Sequence, residues 1–129
     1  MADPIHIANC WITAYNAKDF DTLASLMTKD IHVEHHNRGA QVDGAENLLA
    51  MMREFSTLLP NRRFHSIRRQ FASGDTVVTE LTWEGTPTAD IEGFAKNGET
   101  VKLELACLWL SLIHISEPTR LRRISYAVF

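Results

Sequence analysis

A chain of 129 residues, 45% hydrophobic and 22% charged, fits one globular domain with its own core and indicates neither disorder nor a coiled coil. Its formal net charge of −3 lacks the electrostatic footprint of a nucleic-acid binder, and the basic clusters Arg62-Arg63, Arg68-Arg69 and Arg120-Leu121-Arg122-Arg123 read as solvated strand faces and ends. The longest apolar stretch, Leu105 to Ile113, is too short to span a bilayer, and MADPIHIANCW shows no secretory signal, so the expected location is cytoplasmic.

Asp3-Pro4 is a helix start, with Asp as cap and Pro at the first helical position. Ile7, Trp11, Ala14 and Tyr15 then recur at helical spacing, and Asn16 is the expected stop. A short second helix capped by Asp19 carries Phe20, Leu23, Leu26 and Met27, and Thr28-Lys29-Asp30 breaks it. Ile31 to His35 alternates as a strand, with Ile31, Val33 and His35 on one face and His32, Glu34 and His36 on the other. Asn37 to Gly44 reads as loop, and Asp43 with Glu46 three residues on resembles a capping box. The third helix runs from about Ala45 to Leu59, with a stripe of Leu48, Met51, Met52, Phe55 and Leu59, and Pro60 stops it.

Strands follow. Arg63 to Ala72 is the first, Ser73-Gly74-Asp75 a tight turn, and Thr76 to Glu84 the second. Thr86 to Phe94 is an irregular loop, and Asn97-Gly98 is the strongest short hairpin signal in the chain. Thr100 to Leu110 is the third, with Val101, Leu103, Leu105, Cys107 and Trp109 on one side. Cys10 and Cys107 are far apart and show no CxxC spacing, so no disulfide or zinc framework is expected, and Cys107 reads as a buried thiol. Helices gathered first and strands after indicate α+β rather than a doubly wound fold.

Residues 110–129 stand apart. LSLIHISEPTR resembles the translation of a transposon-type sequencing-library adapter, and ISYAVF its continuation, as in an environmental (metagenomic) assembly. The expected division is a domain over 1–109 and an adapter-derived tail over 110–129. The tail's two β-prone runs flank Glu117-Pro118-Thr119-Arg120, a turn sequence, and are expected to pair as a substitute hairpin.

Three stretches carry a resemblance: Trp11-Ile-Thr-Ala-Tyr15 through Asp19 to Leu23; Val42-Asp43-Gly44 leading into the third helix; and Trp83-Glu-Gly85-Thr86 followed by Gly98 to Trp109. Together they resemble the SnoaL-like polyketide cyclase branch of the nuclear transport factor 2-like superfamily, which includes the ketosteroid isomerases. The resemblance implies a cone: a curved antiparallel or mixed sheet wrapped on three N-terminal helices, with a deep apolar pocket and a homodimer through the outer sheet face. It also implies a terminal hairpin on which cyclases often carry a catalytic Asp; residues 110–129 contain no Asp.

His35 matches the position at which isomerases of this superfamily place a general-base carboxylate, and an imidazole there could take a proton from carbon beside a carbonyl. Trp11 falls where they carry an oxyanion-stabilising Tyr, and Tyr15 one turn later is a second donor; core packing is the alternative for both. Ala106 matches the second oxyanion acid, and its side chain cannot donate, which argues against standard isomerase chemistry. Glu104 shares its face as a candidate pocket carboxylate, the alternative being a surface or ion-paired Glu. Met52, Phe55 and Trp83 would form the apolar wall.

His32-x-Glu34-x-His36 has a spacing that could chelate an ion, yet it lies on the face away from the pocket with no third His or Cys, so no metal is expected. No GxSxG, Walker, GxGxxG or HExxH pattern occurs, and no cofactor is expected. Two functions stay open: a cofactor-independent cyclase or isomerase acting by acid–base chemistry on a hydrophobic carbonyl compound, and a non-catalytic ligand-binding or dimerisation module of the same fold. The expected partners are a small hydrophobic molecule and a second copy of the chain, with no nucleic acid and no membrane.

Overall fold

The structure is a computed structural model that describes residues 3–36, 39–113 and 122–129. Helix α1 spans Pro4–Ala17, α2 Phe20–Ser25 and α3 Ala45–Leu58; the strands are β1 Met27–His35, β2 Ala40–Asp43, β3 Arg63–Ser73, β4 Thr76–Gly85, β5 Val101–Ile113 and β6 Arg122–Val128. The six strands form one mixed sheet in the order β2-β1-β6-β5-β4-β3. Only β1 and β6 run parallel; every other neighbouring pair is antiparallel. The α+β cone is therefore the observed architecture.

Local chemistry sets the helix ends. Asp3 accepts from the Ile5 amide at 3.0 Å and Pro4 needs no donor partner, so α1 starts there. It continues through Asn16 and stops because Lys18 takes a left-handed φ of 58°. Asn16 instead fastens α1 to β3, its amide donating to the Phe64 carbonyl at 2.9 Å and its oxygen accepting from the Phe64 amide at 2.8 Å. Asp19 caps α2 through the Thr22 amide and hydroxyl.

Several expectations need correction. Thr28-Lys29-Asp30 is not a break but part of β1, which begins at Met27; Met27 and Thr28 are both buried, so α2 is shorter and the strand longer than the polar run suggests. The expected loop before Gly44 contains β2, which pairs antiparallel with β1 through His32↔Asp43 and Val33↔Val42. Asp43 does not cap α3. Gly44, at φ 90°, holds the N-cap position without a side-chain bond, because the Asp43 carboxylate is engaged by His32 Nδ1 across the strand pair. The Asn97-Gly98 turn forms, with Gly98 at φ 81°, but it closes no hairpin of long strands. The 86–100 segment joins β4 to β5, and its only pairing among the described residues is the bridge Ile91↔Ala95.

Curvature comes from breaks in register. β3 and β4 slip between His65 and Arg69, where Ser66 adopts φ 56°, and further irregularities interrupt β1 against β6 and β5 against β6. Each adds bend and right-handed twist, which lets one sheet wrap the helices. The concave face is apolar: Val77, Leu81, Cys107 and Trp109 are wholly buried under α1, beside Leu23, Ile31, Val33 and Leu48. Burying each large aliphatic side chain contributes about 1.5–3 kcal/mol. Strand β6 fills the centre of the sheet, between β1 and β5. The turn expected at Glu117 to Arg120 lies outside the described residues.

Candidate functional site

The mouth of the cone holds a cavity of about 80 Å³. Helix α1 supplies Trp11 and Tyr15, one turn apart, with their rings stacked at 5.5 Å and 16°. Helix α3 supplies Leu48, Met51, Met52 and Phe55 from the stripe that its periodicity defines. His35 stands at the end of β1, Phe64 on β3, Trp83 on β4, and Leu103 and Leu105 on β5; Phe94 from the 86–100 segment and Phe129 complete the wall.

Polar groups in this wall are few and tied together. The Trp83 indole N–H donates to the Tyr15 hydroxyl at 2.9 Å, fixing the phenol at the foot of α1. Arg62, only 2% exposed, lies with its guanidinium carbon 3.8 Å from the centre of the Tyr15 ring. Its two terminal nitrogens donate to the Tyr15 carbonyl at 2.9 Å and the Ser56 hydroxyl at 2.8 Å. Burial pushes the Arg62 pKa down from its ordinary value, and Tyr15 works the other way; an arginine stays charged through such a shift. Trp11 Nε1 is buried without a hydrogen-bond partner among the described residues, a donor left over for something else.

His35 is half-buried, and its ring stacks on Phe129 at 5.3 Å. Phe129 also meets Trp11 at 5.6 Å and Trp109 at 6.1 Å, so its ring occupies the space between the candidate base and α1.

The structure brings together Trp11, Tyr15, His35, Met52, Phe55 and Trp83 in one wall. Glu104 and Ala106 do not belong to it, contrary to expectation. Both are exposed on the outer face of the sheet, and Glu104 is held there by Arg68 at 2.8 Å. The reason is parity. In the β4–β5 register Leu103 opposes Trp83 and Leu105 opposes Leu81, both buried, so odd-numbered β5 residues point inward and even-numbered ones outward. His32, Glu34 and His36 bond among themselves and to Asp43 on the outside, and no group of three or more potential metal ligands occurs among the described residues. Sequence reasoning missed Arg62, taken as a solvated charge, and Phe129; neither stands in a pattern that marks it.

The family profile of the SnoaL-like polyketide cyclases matches residues 5–109. No curated protein sequence matches the chain. Among solved structures, a protein named as a candidate polyketide cyclase from Pseudomonas putida shares 24% identity at a TM-score of 0.74, over 99% of this chain and 90% of its own. A SnoaL-like polyketide cyclase from Agrobacterium tumefaciens shares 16% at 0.73, over 99% and 90%. A hypothetical protein of ketosteroid isomerase-like fold from Catenulispora acidiphila, solved in complex with trimethylamine, shares 20% at 0.70, over 95% and 82%. At such identities these structures speak for the fold alone.

Proposed function

Since the chain belongs to the SnoaL-like polyketide cyclase family, we propose that it is a cofactor-independent cyclase or isomerase that moves protons on a hydrophobic carbonyl compound, with His35 as the base. The observation that carries this reading is that one imidazole shares a largely apolar wall with two aromatic donors, Trp11 and Tyr15. Such a wall excludes water and suits a flat, apolar substrate. A neutral His35 takes a proton from carbon next to a carbonyl. The electron pair moves onto the carbonyl oxygen, which the Trp11 N–H stabilises, Tyr15 standing beside it. The resulting enolate either attacks a second carbonyl carbon, closing a ring, or takes the proton back at another carbon. His35 returns the proton in either case, so the cycle consumes nothing but substrate.

The test is solvent-deuterium exchange and turnover on a panel of cyclic ketones and polyketide-like aldol precursors. General-base contributions run to about 10²–10⁴-fold, so His35→Ala should lower the rate by that order. A rate unchanged by this substitution would remove His35 from the mechanism.

A second reading, a non-catalytic binding module, is favoured by Phe129, whose ring covers the imidazole that chemistry would need. A ligand bound in the pocket without turnover in either the wild type or Phe129→Ala would select it.

We also propose a homodimer through the outer sheet face and a cytoplasmic location. Phe71, 49% exposed, stands opposite Val78, which stands opposite Leu108, so an apolar row crosses three strands on that face. No helix among the described residues is long and apolar enough to cross a membrane.

A further inference from the structure

Among the described residues, the wall of the cavity contains one permanent charge and no carboxylate. That charge, Arg62, is only 2% exposed, and among the described residues no carboxylate comes within 4.0 Å of it. Both of its acceptors are neutral, a carbonyl and a hydroxyl, and its Nε–H is buried with no partner among the described residues. A buried cation is costly unless paired. A purely structural pin between α1 and α3 could be made by a neutral donor without that cost.

We propose that the missing counter-charge arrives with the ligand: the pocket binds a hydrophobic organic anion, a carboxylate, enolate or phenolate on an apolar ring, whose oxygen pairs with Arg62. This narrows the substrate class of the preceding section and rests on it only in taking the cavity as a ligand site; it holds for a binding module as well as for an enzyme. The ring lies against Trp11 and Phe55, and the anionic oxygen takes the guanidinium edge that Tyr15 and Ser56 leave over. Such a pair also favours the enolate over its ketone, because the charge that develops on oxygen meets a cation already in place.

The experiment is equilibrium binding of three probes of one shape, benzoate, acetophenone and benzylammonium, to the full chain at pH 8.5, where a histidine of ordinary pKa is neutral. Benzoate should bind about tenfold or more tighter than acetophenone, the scale of one charge-assisted hydrogen bond, and benzylammonium weaker than both. Arg62→Gln should equalise benzoate and acetophenone, and Arg62→Lys should keep the order. Where Arg62→Gln does not fold, the wild-type order and the lysine variant decide. Equal binding of all three probes overturns the anion assignment and leaves the pocket standing. A benzoate preference that survives Arg62→Gln, or that vanishes in His35→Ala, also overturns it, by placing the charge elsewhere. Binding of none of the three removes the ligand site itself, and with it both this inference and the function proposed above.

Discussion

Phe129 is the side chain whose removal tests the site most directly. Its ring is 8% exposed and packs on Trp11, His35, Trp109 and Phe64 at centroid distances of 5.6, 5.3, 6.1 and 6.2 Å. Phe→Ala in a packed core costs about 3–5 kcal/mol, part transfer and part cavity. The vacated space adjoins a cavity of about 80 Å³, so the wall has nothing to collapse onto, and the cavity part of the cost is retained. On a total stability of roughly 5–15 kcal/mol this is a large fraction, and the melting temperature should fall by on the order of 10 °C. The same substitution uncovers His35 and enlarges the pocket. Calorimetry on Phe129→Ala should therefore show a destabilised but folded protein, while titration with an aromatic probe should show tighter binding than in the wild type. A loss under about 1 kcal/mol together with unchanged binding would refute the reasoning, because the ring would then not be seated between the base and α1.

Burial raises the Cys107 thiol to about 12, so alkylation of the native protein at pH 8 should modify Cys10, which is partly exposed, and spare Cys107; modification of both at equal rates would contradict the packing of β5. The Asp43 hydrogen bond is the largest cause raising His32 above its ordinary value, with burial opposing it. A raised folded-state pKa means that this pair stabilises the fold fully below the unfolded value and loses its effect as pH rises through the folded one. An NMR titration should therefore place the His32 midpoint above 6.5 and show it falling in Asp43→Asn; equal midpoints in both proteins would exclude the contact. Light scattering should find a dimer at tens of micromolar, about where a standard interface persists, and Phe71→Asp should yield monomers; a monomeric wild type would count against the outer-face interface.

Elements with their own local signals were legible in the sequence. Asp3-Pro4, Asp19 and Pro60 bound the helices because a cap or a missing donor acts within one turn, and Gly74 sets the β3–β4 turn by its φ of 60°. What was not legible depends on partners far away in the chain. β2 is four residues long and exists because β1 lies beside it. The first residues of β1 look like a helix break until the Ile124 amide bonds to the Leu26 carbonyl from the other end of the chain. Alternation along β5 shows which residues share a face, but both sets are partly apolar. Only the pairing with Leu81 and Trp83 sends Leu103 and Leu105 inward and leaves Glu104 and Ala106 outside. One strand of the predicted site was thus shifted by parity rather than by chemistry.

Arg62 shows the same limit for charge. Two adjacent arginines after a proline read as solvent-facing, and Arg63 is exposed. Between α3 and β3, however, the chain makes a tight turn in which the Arg62 amide bonds to the Leu59 carbonyl at 3.1 Å. Leu59 and Arg62 then both turn inward while Pro60 and Asn61 face out, and Asn61 locks the corner by accepting from the Thr86 amide at 2.9 Å. Because the turn is fixed at both ends, the Arg62 side chain leaves the backbone pointing inward. The backbone therefore bears the cost of burying a cation, and that cost is offset in part by the Tyr15 carbonyl, the Ser56 hydroxyl and the Tyr15 ring. A cation held so firmly in an apolar wall acts on whatever enters: it attracts an anionic oxygen and repels an ammonium group, so the charge of the ligand follows from the geometry of a four-residue corner.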